Sequence, residues 1–163
     1  MIFLAVGTQF PFDRLVKALD DCLAHGVIDE EIFGQIGETS YQPRNFKSIA
    51  FLEKKEFDRT LMKATKVIGH AGIGVIRTAM ENDKPLLVMP RLKKYREVVH
   101  DHQVEIARKF EKHGHILVAY SESELCEKAQ ELKYFKPSKR EPQIDAVVRR
   151  ISDFLQQNNV SAN

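Results

Sequence analysis

The sequence has no apolar run near the roughly 20 residues that cross a bilayer, so no membrane-spanning helix is expected. It also has no excess of one charge: 25 Lys and Arg stand against 23 Asp and Glu, a net of +2. Such a balance gives no electrostatic case for bulk nucleic-acid binding. Cysteine is scarce, with only Cys22 and Cys126, far apart and both in helix-like surroundings. They form neither a CxxC pair nor a zinc spacing, and buried reduced thiols in a cytoplasmic protein are expected. No Gly-Lys-Ser/Thr and no GxGxxG occurs, which leaves out the P-loop and the dinucleotide fingerprint. The opening MIFLAVGTQF lacks a basic n-region and a small-residue cleavage site. It reads as a first core strand and not as a signal peptide.

What is present suits one soluble α/β domain. The 163 residues, 43% hydrophobic and 29% charged, suffice for a real core. Short β-rich runs at Ile2–Val6, EIFGQIG, SIAFL, KVIG, PLLVMP and HILVA alternate with helical periodicity. Phe12, Leu15, Leu19 and Cys22 share one helical face, with Gly26 as the stop; Phe57, Leu61 and Ala64 share another. Ser121 to Glu124 forms a possible capping box. This alternation predicts a Rossmann-like parallel sheet with helices on both faces. The main domain is expected over 1–136, with a polar link and an amphipathic helix over 137–163. On that helix Ile144, Val147, Val148, Ile151, Phe154 and Leu155 form a stripe, read as core or as a docking surface. The last residues, NNVSAN, are expected to fray.

In open α/β sheets, ligands bind beyond the carboxyl ends of the strands. Three loops of unusual composition fall there: GTQF, QIGETSYQP and HAGIG. In HAGIG, glycines allow close backbone approach and a helix N-terminus supplies free N–H groups. His70 adds a hydrogen bond or a full charge. The turn suits a phosphate, or else serves packing alone. Gly7 and Thr8 can present a backbone and a hydroxyl to a ligand, or Thr8 can cap the following helix. Gln35 can meet a base or sugar, or face solvent. In HDHQ, His100, His102 and Gln103 can read sugar hydroxyls, or Asp101 can simply cap the helix. His100 and His102 have no evident third metal ligand, and no metal site is expected. The basic run RLKKYREVVH could neutralise a phosphate, face an anionic membrane or be solvated.

VGTQFPFDRLV, QIG, VIGHAGIGVIRTAMENDKPLLVMPR and HDHQVEIA, in that order, resemble the carboxyl-terminal domain of glycosyltransferase family 28. More narrowly they resemble the bacterial PssE-like subunits of capsule and exopolysaccharide synthesis. They are also similar to the soluble subunit of the split eukaryotic UDP-N-acetylglucosamine transferase. The resemblance covers roughly Ile2 to Gly114. It implies the carboxyl-terminal half of a GT-B enzyme, which binds the nucleotide sugar. It implies a UDP-sugar donor, no metal, an inverting hexosyl transfer and a lipid-diphosphate-linked acceptor. A membrane-attached subunit would bind that acceptor and recruit this chain to the inner face of the membrane. By resemblance, Gly7, Thr8, Gly72, Ile73 and Gly74 lie near the pyrophosphate, with His70 and Arg91 beside them. Gln35 and Gly37 belong to the donor site, and the loop after them lies near the uracil. His102 and Gln103 contact the donor sugar. Thr78 stands where one-chain relatives carry a ribose-holding Glu. The general base is expected from the partner, with His70 and His100 as weaker candidates. The alternatives are a non-catalytic subunit that positions a partner transferase and a nucleotide-binding regulatory module.

Overall fold

Strand β1 (Ile2–Ala5) sits mid-sheet because both its faces are apolar. Ile2 and Leu4 belong to one hydrophobic cluster, and Phe3 and Ala5 to the other. In the computed structural model, which describes residues 1–139 and 144–159, β1 pairs in parallel with β2 (Ile32–Gln35) and β4 (Lys66–His70). β3 (Lys47–Ile49), β5 (Leu86–Met89) and β6 (Leu117–Val118) complete a parallel sheet of order β3-β2-β1-β4-β5-β6.

Helices cover both faces, as expected. On one, α1 (Asp13–Ala24) and α5 (Glu122–Leu132) bury Leu15, Leu19, Leu125 and Leu132 against Leu4 and Ile68. On the other, α2 (Lys54–Lys63), α3 (Ile73–Glu81) and α4 (His102–Lys112) bury Leu61, Ile76, Ala79 and Ala107 against Phe3 and Val88. All of these parallel connections except β2 to β3 run through a helix, which accounts for the alternation in the sequence.

Three local expectations are corrected. Cys22 and Cys126 are not free thiols: α1 and α5 lie side by side, so cysteines 104 residues apart meet in a disulfide. The α5 cap differs from a capping box, because the Glu124 carboxylate accepts from the Tyr120 N–H (2.9 Å) and the Ser121 hydroxyl (3.0 Å). Thr8 does not cap α1, whose N-cap is Phe12 with no side-chain cap bond.

Helix α6 (Ile144–Asn159) presents Val147, Val148, Ile151, Phe154 and Leu155, all more than half exposed. These residues are therefore not core. Asn158 and Asn159, expected to fray, still belong to α6; residues 160–163 of the tail and 140–143 of the link lie outside the described residues. Among the described residues, no helix is long and apolar enough to cross a membrane.

Candidate functional site

The strand order reverses direction between β1 and β4, and such switch points open a crevice at the carboxyl edge of a sheet. Here the crevice is a cavity of about 630 Å³. Ten of the residues expected at the site line it. Gly7 and Thr8 come from the loop after β1, and Gln35 from the end of β2. His70 ends β4, while Ile73, Gly74 and Thr78 belong to α3. Arg91, His102 and Gln103 come from beyond β5. Gly37, Gly72 and His100 do not line it.

Helix α3 opens into this cavity without a side-chain cap, because its N-cap is Gly72. The first amides of a helix have no intrahelical partner and carry partial positive charge. Gly72 is small for a definite reason. A Cβ there would lie 2.7 Å from His70 Cδ2 and closer still to Nε2. Gly7, at φ +87, lies against the same imidazole. The ring thus fills the space between the two loops and holds them apart.

His70 Nδ1 donates to the Ala5 carbonyl at 3.3 Å, which leaves Nε2 as the acceptor. Burial and the charge of Arg91 push its pKa down to about 4, against the raising effect of the Ala5 bond. The full positive charge considered for His70 is therefore absent at neutral pH.

Two cations line the cavity, Lys54 and Arg91, and Arg91 is the buried one, 3% exposed. Its Nη1 donates to the carbonyls of Pro11 (2.7 Å) and Glu97 (3.3 Å), and its Nη2 to that of Val6 (2.7 Å). The guanidinium stacks over Phe12, 4.7 Å from the ring centroid. Burial pulls its pKa down to about 10, partly offset by Glu97, so it stays charged at neutral pH. Arg91 clamps three backbone segments around the cavity and leaves a positive wall.

Gln35 is 3% exposed, not a surface residue, and its Oε1 accepts from the Leu52 N–H at 2.9 Å. Gln103 Oε1 accepts from the Arg91 N–H at 3.1 Å, so its amide nitrogen is the donor end. His102 Nδ1 donates to the His100 carbonyl at 2.9 Å, and the residue lines the cavity. Asp101 does not cap α4 with its side chain; its carboxylate accepts from the Lys93 N–H at 2.6 Å. Thr78 donates to the Gly74 carbonyl at 2.8 Å, a bond that points its hydroxyl proton into its own helix.

The loop after Gln35 is drawn away from the cavity by α1. Asp13 accepts from Thr39 and Ser40. Asp20 accepts from the Tyr41 hydroxyl (2.7 Å) and the Asn45 N–H (2.8 Å). Leu52, Lys54 and Phe57, from the end of β3 and the start of α2, form that wall instead. The sequence reading missed them, as well as Phe10 and Val98. One signal was available: SIAFL reads as a parallel strand, so the loop after it must reach the same sheet edge.

A family model described as the glycosyltransferase family 28 C-terminal domain matches residues 1–157. The UDP-N-acetylglucosamine transferase subunit ALG13 of Mus musculus is 30% identical over 123 residues, 70% of this chain. This chain spans only 10% of that relative's length. The structure resembles Acinetobacter baumannii MurG with a TM-score of 0.56 at 19% identity, over 81% of this chain and 40% of that one. It resembles the solution structure of ALG13 with a TM-score of 0.55 at 20% identity, over 83% of this chain and 87% of that one. At these identities the structural likeness speaks to fold, and the fold is that of a GT-B carboxyl-terminal domain. On its sequence, the chain belongs to the glycosyltransferase family 28 C-terminal domain family.

Proposed function

We propose that the chain is the donor-binding half of a two-component inverting glycosyltransferase that uses a UDP-sugar. The observation that carries this reading is the uncapped N-terminus of α3, opening into a cavity with Arg91 in its wall. Transfer to an acceptor hydroxyl breaks the bond from the anomeric carbon to the diphosphate oxygen. Negative charge then grows on the departing UDP. The amides of Ile73, Gly74 and Val75 stand where that charge develops, and preorganised donors of this kind lower such barriers. Arg91 adds a fixed positive charge, so the leaving group needs no divalent cation in this reading.

The uridine lies towards Gln35, Leu52 and Phe57, and the sugar towards His102 and Gln103. The acceptor is a lipid-diphosphate-linked saccharide, presented by a membrane-attached partner, in exopolysaccharide or capsule synthesis. The two-part arrangement is supported by the relative from Mus musculus, which is named as a subunit of a UDP-N-acetylglucosamine transferase. The acceptor hydroxyl must lose a proton to a base. His100 lies away from the cavity and His70 is enclosed between glycine loops, so neither is well placed. The partner supplies that base.

The test is transfer of labelled sugar from UDP-sugars to a lipid-diphosphate saccharide by the chain co-expressed with its membrane subunit. Product should require both proteins, and Gly74→Val in this chain should abolish it. Product formation that survives Gly74→Val would favour the alternative, a non-catalytic subunit that positions a partner transferase.

A further inference from the structure

The run RLKKYREVVH is the motif that the donor site does not absorb, apart from Arg91 and Val98. The fold buries Arg91 and Glu97 and leaves the other charges of the run, all cations, at the surface. Glu97 turns inward, 6% exposed, and accepts from Arg14 Nε and Nη2 (2.9 Å each) and the Leu92 N–H (3.0 Å). Asp101 stays exposed, with its carboxylate accepting from the Lys93 N–H at 2.6 Å. Of the nearby acids, Glu122 pairs with Arg14 at 3.3 Å, and Glu105 stands exposed on α4.

Facing solvent are Lys93, Lys94 and Arg96, with Tyr95 (48% exposed) and Val99 (58%) among them. The net charge of the whole chain is only +2, so three cations within four residues are a local concentration and not general basicity. The segment is also held in shape. A 3-10 turn spans Lys93–Tyr95, and Arg96 closes it in the left-handed region at φ 60. The Tyr95 ring lies 4.7 Å from Lys94 Nζ and 4.8 Å from the guanidinium carbon of Arg14.

We propose that the segment Lys93–Val99 is a contact surface for an anionic phospholipid bilayer, so that this chain touches the membrane directly as well as through a partner. Cations close to an acidic lipid surface are attracted to it over about a Debye length. A half-exposed tyrosine, apolar in its ring and polar at its hydroxyl, suits the interface, and Val99 adds an apolar contact. Val98 and His102 connect this face to the cavity mouth, so membrane contact would bring the cavity to the lipid surface.

The test uses the full chain and vesicles of phosphatidylcholine, with and without phosphatidylglycerol, at low and high salt; it needs no sugar donor. The chain should sediment with phosphatidylglycerol vesicles only, and less so at high salt. The combined Lys93→Glu, Lys94→Glu, Arg96→Glu variant should partition on the order of a hundredfold more weakly. UDP affinity in that variant should be unchanged, which separates lipid contact from the donor site. Lys93→Gln with Lys94→Gln is the milder pair if the triple variant fails to fold, with a smaller loss in the same direction. Ile151→Glu on α6 should leave partitioning as it was. No sedimentation with acidic vesicles, equal sedimentation with both, or a loss confined to Ile151→Glu would each overturn the proposal.

Discussion

Gly72 and Gly74 look alike in the sequence and differ in what they do. At 72 a Cβ would collide with the His70 ring, so the residue is small for packing. At 74 a Cβ would meet nothing within 4 Å, so the residue is small although the protein itself leaves room. A ligand against the α3 amides would use that room. Gly72→Ala should therefore destabilise the fold by about 1–3 kcal/mol, as overpacking does. Gly74→Val should melt like the native chain yet bind UDP at least about tenfold more weakly, a loss of roughly 1.4 kcal/mol. Thermal melts beside nucleotide titrations separate the two. Equal loss of stability at both positions would mean that the turn is small for packing alone. His70 belongs to the same logic: its neutral ring is a spacer between Gly7 and Gly72, and its proton is committed to Ala5.

Among the elements, α6 and α1 show how far pattern alone reaches. The stripe on α6 reads equally as core or as docking surface, since periodicity records amphipathicity and not what covers it. The exposure of Val147, Val148 and Ile151 decides against core. Deleting residues 142–163 should leave the melting temperature of the remainder within a few degrees of native. It should also weaken recruitment by the membrane subunit, if the stripe docks there. A large drop in melting temperature would contradict the first statement. Helix α1, by contrast, does more than its pattern shows. Asp13 and Asp20 tie down the loop after β2, Arg14 holds Glu97, and Cys22 bonds Cys126. Each partner lies at least 21 residues away along the chain, beyond any local pattern.

For the whole molecule, the sheet was legible because a buried parallel sheet needs apolar strands and crossover helices, and both leave periodic marks. Much of the site was legible for a related reason: at a switch point, the residues beyond the carboxyl ends of strands converge. Leu52, Lys54 and Phe57 were missed because their loop carries no glycine signature. Gly37 was overestimated because its loop does, although α1 draws that loop aside. The charge states of His70 and Arg91 could not be read, because burial and neighbours set them, not residue type. These features place a positive, amide-lined cavity in a GT-B carboxyl-terminal domain.

The central claim is that this cavity holds a uridine diphosphate, and calorimetric titration of the purified chain tests it most directly. UDP should bind, ADP and GDP should bind far more weakly, and Gly74→Val should remove the UDP signal without unfolding the protein. UDP binding that Gly74→Val leaves intact, or no preference for UDP over ADP and GDP, would contradict it.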